Sequence, residues 1–176
     1  MLLRLLVVLV TLTVGFPSAV RAEPTAQGGL PDPKLLFLDD LDMPRGFQRM
    51  SPMDQVDTNP GVITAIRQYS NGTAIIQQIV YAAATDAVAK ELGGRLIDEL
   101  TEQYDAEFGE ILTLGERAVS GVGEDSNGTT LHIVVFQRGI YAAAILWIES
   151  EGDDLEADTV ALAGKMDSRA RVALGR

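Results

Sequence analysis

The chain of 176 residues has no cysteine, one histidine and one tryptophan. Without cysteine there are no disulfides, no lipid-anchored lipoprotein and no thiolate metal site. The lone His132 makes a poor zinc site, because zinc needs further nitrogen or sulfur ligands. Positive charge is also scarce, with 14 basic against 25 acidic residues and a net charge of −11. No basic cluster exists to release counterions from nucleic acid or anionic lipid, which disfavours both as partners. The acidic balance favours solubility and, weakly, cations or basic proteins.

Long apolar runs are few. The first is N-terminal: Arg4, then apolar Leu5–Phe16, then the small-x-small triplet Val20-Arg21-Ala22. That pattern predicts a signal peptide over residues 1–22, because the run is too short to span a bilayer comfortably. The expectation is export to the periplasm or beyond, with cleavage near Ala22 leaving no stable membrane anchor. The leader holds two arginines and no acid, so its loss leaves 12 basic against 25 acidic residues, net −13. The remainder suits one domain held by packing alone.

The second run, Leu131–Ile148, is LHIVVFQRGIYAAAILWI. Gln137-Arg138-Gly139 at its centre argues against a membrane span. It reads as two strands joined at Arg138-Gly139. Both parities of the second strand are apolar, which calls for cover on both faces.

Residues 23–60 read as a flexible or irregular N-terminal segment, rich in proline, whose Leu35-Leu36-Phe37-Leu38 quartet docks on the domain. Residues 61–176 read as a single α+β domain. Val62–Tyr69 and Thr73–Tyr81 are strand-like and flank Asn71-Gly72, a type I′ hairpin signal. Thr85 caps a helix to about Tyr104, with Val88, Leu92, Leu96 and Leu100 on one stripe. Gly93-Gly94 within it implies a kink or very close packing. Phe108–Leu114 and Ala118–Val122 extend before a second Asn-Gly turn at Asn127-Gly128. The last helix runs from Asp154 to about Val172, with Asp153 and Glu156 as a capping box. The order ββαβββα gives an antiparallel sheet of about five strands carrying two helices.

Candidate chemistry is sparse. Glu149, Glu151 and Asp153, in an acid-rich run to Asp158, are weak candidates for calcium, although capping and the helix dipole explain several of them. His132 is a weak catalytic candidate as a general base beside a carboxylate; no G-x-S-x-G elbow accompanies it, since alanine stands two residues before Ser120. Gly121-Val122-Gly123 is rejected as a phosphate loop, because no helix follows it. Met43, Met50 and Met53 form a loose thioether set of the kind that suits Cu(I), and such residues more often fill apolar gaps. Asp98, Glu102 and Asp105 read as a solvated helix face. Asn71-Gly-Thr and Asn127-Gly-Thr satisfy the glycosylation sequon, which their turns explain without sugar. Tyr141 and Trp147, with Tyr69 and Tyr81 on neighbouring strands, form the preferred ligand- or partner-binding set. If both helices cover the other face, this aromatic face lies bare for an apolar ligand, a partner protein or a second copy of the chain. The competing expectation is that Leu35–Leu38 covers it. No cofactor is implied.

Asp42-Met43-Pro44-Arg45-Gly46-Phe47 resembles the D-L-P-x-G-F opening of small exported bacterial proteins of unknown function. Leu114-Gly115-Glu116-Arg117-Ala118 is similar to their L-G-D-E-A turn, and Val135-Phe136-Gln137-Arg138-Gly139 to their V-F-R-R-G hairpin. With the element order, this looks like the PsbP-type α/β sandwich from about Leu38 to Val172. The resemblance implies an exported accessory or binding role and carries over no catalytic residue. Glu116-Arg117 stands where D-E is usual, and Gln137 where arginine is usual, so the turn acids inherit no ligand role.

Three functions compete: a non-enzymatic exported binding or accessory module using the apolar, aromatic sheet face; a hydrolase using His132 with a carboxylate; and a calcium-dependent module on the Glu149–Asp158 run.

Overall fold

A computed structural model describes residues 29–149 and 155–176. The leader expected over residues 1–22 therefore lies outside the described residues, as do Glu151, Asp153 and Asp154. After a 3-10 turn at Pro33–Leu36 come β1 (Gln48–Arg49), β2 (Gln55–Asn59), β3 (Val62–Ser70) and β4 (Ala74–Ala83). The helix α1 (Asp86–Tyr104) follows, then β5 (Glu107–Glu110), β6 (Arg117–Glu124), β7 (Thr130–Arg138), β8 (Tyr141–Glu149) and α2 (Glu156–Ala173).

The eight strands form one antiparallel sheet in the order β1-β3-β4-β8-β7-β6-β5, with β2 also on β3. The architecture is α+β, and the expected five strands understate it. β1 and β2 arise from the segment expected to be irregular. Their sequences, Gln-Arg and Gln-Val-Asp-Thr-Asn, bury no face and so show no alternation, as exposed edge strands need not.

The run Leu131–Ile148 folds back at Arg138-Gly139, and β8 pairs with β4 on its other side. Each face carries one helix. On one, Leu92, Leu96 and Leu100 of α1 pack with Ile133, Val135, Ala144 and Leu146. On the other, Leu162 and Met166 of α2 pack with Val134, Phe136, Ala143 and Ile145. The two-sided apolar pattern of β8 is thus accounted for by one helix per face.

The segment from Pro33 to Phe47 completes the α2 face, burying Leu36, Phe37, Leu38, Met43 and Phe47. A single residue, Leu38, anchors it to the sheet. The Leu38 N–H donates to Gln78 Oε1 at 2.8 Å, and the Leu38 carbonyl accepts from Arg67 Nη1 at 3.0 Å and Tyr69 Oη at 3.2 Å. From α2, Arg169 donates to the Phe37 carbonyl and, at 2.6 Å, to Asp42.

Three local expectations change. Asn71 does not adopt positive φ; Gly72 does, at 95°, so the turn is not type I′. Instead Asn71 Oδ1 accepts from the N–H groups of Thr73 and Ala74, an Asx turn. At the paired glycines α1 runs unbroken. A Cβ on Gly93 would meet that of Ala142 at 3.8 Å, an ordinary contact, so the pair marks neither a kink nor an approach that only glycine allows. Finally, α2 starts at Glu156 with no side-chain cap on Leu155. The Glu156 carboxylate accepts from Ser120 Oγ at 2.7 Å, which ties the helix start to the sheet, while Asp153, the other half of the expected capping box, lies outside the described residues.

No helix among the described residues is long and apolar enough to cross a membrane.

Candidate functional site

The aromatic set is not a surface. Tyr141, Trp147, Tyr69 and Tyr81 are all 5% exposed or less. Three of them share the α2 face, whereas Tyr81 lies on the α1 face. The expectation of a bare face is corrected because the helices divide between the faces and the 33–47 segment fills the gap. Phe47 meets Trp147 edge-on at 5.5 Å between ring centroids. Burial pushes the phenols of Tyr141, Tyr69 and Tyr81 upward, most strongly for Tyr81, to which the charge of Glu99 adds.

His132 shares its face with Val134 and Phe136 and is buried, with Nδ1 lacking a hydrogen-bond partner among the described residues. Among the described residues no carboxylate is bonded to it. Glu149 ends β8, half-buried, while its companions Glu151 and Asp153 are not described. Among the described residues no group of three or more histidine, aspartate or glutamate side chains is placed to hold a metal ion. Met43 is buried in the core whereas Met53 is exposed, so these two thioethers do not share a surface.

A recess does exist, elsewhere. A cleft of about 520 Å³ opens on the α2 side of the sheet, over β5 and β6 beside the start of α2. Four carboxylates line it, those of Asp105, Glu107, Glu124 and Glu156, with Ser120 and Val122. Among the described residues its lining contains no basic side chain. The register explains the gathering. Glu107 pairs with Val122 and Gly109 with Ser120, so these positions and Glu124 project from one face. α2 then delivers Glu156 onto Ser120.

Glycines make this edge possible. A Cβ on Gly121 would lie 2.6 Å from the Glu107 carbonyl oxygen, and one on Gly123 would lie 2.7 Å from that of Tyr104. Only bare backbone at these positions lets β5 and the end of α1 approach β6 so closely. Asp105 adopts the left-handed conformation, φ 49°, and turns α1 directly into β5. The Gly121-Val122-Gly123 motif, unsuited to a phosphate, serves this packing.

Of the cleft's polar residues, the sequence singled out Asp105, Ser120 and Glu156, each for another reason. Glu107 and Glu124 carry no periodic signal, because only the pairing of β5 with β6 brings them together. No family model matches the chain, and no curated protein does either.

Proposed function

We propose that this is an exported, non-enzymatic binding or accessory module that takes a cationic partner into the acidic cleft at the β5–β6 edge. The observation that carries the reading is the lining itself: four carboxylates around a recess of about 520 Å³ with no basic side chain among the described lining residues. Carboxylates held together by a sheet edge and a helix start attract a compact positive group, and like-charge repulsion among them is relieved when it binds. The contact surface moves from the Tyr141–Trp147 face, which is filled, to this recess. Export is supported by Arg4, the Leu5–Phe16 run and the Val20-Arg21-Ala22 triplet. The PsbP-type likeness of the turn motifs is compatible with the α+β order and with an accessory role.

The test is calorimetry with a lysine-rich peptide at low salt, comparing the protein with a Glu107→Gln/Glu124→Gln variant. Binding that weakens about tenfold in the variant, and weakens further with added salt, is the expected result. Equal affinity for the two proteins overturns the reading.

A further inference from the structure

The cleft is bordered by an unused strand edge. β5 ends the sheet and pairs only with β6 among the described residues. The Ile111 N–H donates to the Ala118 carbonyl at 2.9 Å, which fixes the alternation along β5. Glu107 and Gly109 therefore turn their main chain inward to β6, while Phe108 and Glu110 present theirs outward. Those outward groups form no hydrogen bond with the described residues.

We propose that the partner is an extended basic peptide that adds as a strand to β5 and places alternate lysine or arginine side chains over the cleft. This rests on the cationic-partner reading and specifies its geometry. A strand laid along β5 hydrogen-bonds the main chain of Phe108 and Glu110. Its side chains then alternate between faces, and every second one falls beside Glu107 or Gly109 on the cleft side. Gly109 is the point of entry. It offers no side chain, and a Cβ built there meets nothing within 4 Å, so a long side chain crosses it toward Ser120 and Glu156.

Charge selects this occupant over a second copy of the chain. Two β5 strands paired with each other bring Glu107 and Glu110 against their own kind, which disfavours the pairing. The opposite edge, β2, lacks the complementarity, since Asp54 just before it is taken by Arg49 and Arg67.

The experiment uses a peptide of about six residues alternating lysine and threonine, and the same peptide N-methylated at alternate amides so that it cannot pair as a strand. Titrations are run on the full protein, on Glu110→Gln and on Glu110→Pro. Residue 110 turns its N–H outward, so proline removes a partner-facing donor while the β6 bonds remain. Strand addition predicts that methylation weakens binding about tenfold, and that Glu110→Pro binds several-fold more weakly than Glu110→Gln. If the methylated peptide binds as well as its parent, strand addition is overturned and the cleft reading stands. If the parent does not bind, or binds Glu107→Gln/Glu124→Gln as tightly as the unaltered protein, both fall. Should Glu110→Pro not fold, the two peptides decide the matter alone.

Discussion

Arg138 and Asp167 form a two-pronged ion pair, Nε to Oδ1 and Nη2 to Oδ2, the latter at 2.9 Å. Both residues are buried. The pair ties the β7–β8 turn to α2, and the same guanidinium donates to the Gly115 carbonyl at 3.0 Å. Removing Arg138 leaves the buried Asp167 carboxylate with only the half-exposed Arg171, at 3.2 Å, as a cationic partner among the described residues. Arg138→Met alone is expected to cost about 3–5 kcal/mol in urea unfolding, whereas Arg138→Met with Asp167→Leu recovers much of the loss. No recovery in the double variant would show that the pair does more than neutralise itself.

Two carboxylates give the fold an acid limit. Burial pushes Asp167 up, but hydrogen bonding to Arg138 and the charges of Arg138 and Arg171 outweigh it and hold the carboxyl below its ordinary 3.8. Asp54 is held low chiefly by its hydrogen bond to Arg67. A depressed folded value means that the stabilisation is complete above the unfolded pKa and disappears as pH falls through the folded one. Denaturant midpoints should therefore change little from these groups above about pH 5 and fall below about pH 4. Asp54→Asn and Asp167→Asn are each expected to flatten that acid limb.

Gly94 has open space around its missing Cβ and sits within a continuous helix. Gly94→Ala should raise stability by about 1 kcal/mol, seen as a Tm gain of about 3 °C. A loss on this substitution would mean that α1 is not helical there.

Trp147→Ala and Tyr141→Ala remove rings from a closed core, so each should cost about 3–5 kcal/mol. A bare binding face predicts the contrary, near-normal stability with lost capture. Thermal unfolding of the two variants separates these outcomes.

Gly121→Ala places a methyl group against the Glu107 carbonyl and 2.7 Å from the Phe108 ring, so β5 must shift. The expected readout is faster amide exchange at Gly109 of β5 and at Ile111 just after it, whose N–H groups face β6. Unchanged protection would show that the edge tolerates a side chain at residue 121.

What could be read in the sequence followed burial. The Leu131–Ile148 hairpin and the α1 stripe announce themselves because apolar residues recur at strand or helix spacing. Thr85 does act as cap, accepting from the Val88 N–H at 3.3 Å. The distribution of the helices was not legible, since nothing local says which face a helix takes. That single choice decides whether Tyr141 and Trp147 are surface or core. The cleft was hidden for a similar reason. Its carboxylates come from a helix end, two strands and the start of another helix, and only strand register unites them.

The position of β8 has a consequence for timing. The strands nearer the N-terminus, β1 to β4, and the later set, β5 to β7, are adjacent to one another nowhere; β8 alone bridges them. The stretch from Pro33 to Phe47 likewise waits for α2, whose Arg169 grips it. During synthesis, then, neither set can join the other into one sheet until β8 has emerged. A ribosome-stalled chain ending before residue 141 should remain protease-sensitive throughout, with no partially assembled platform surviving digestion.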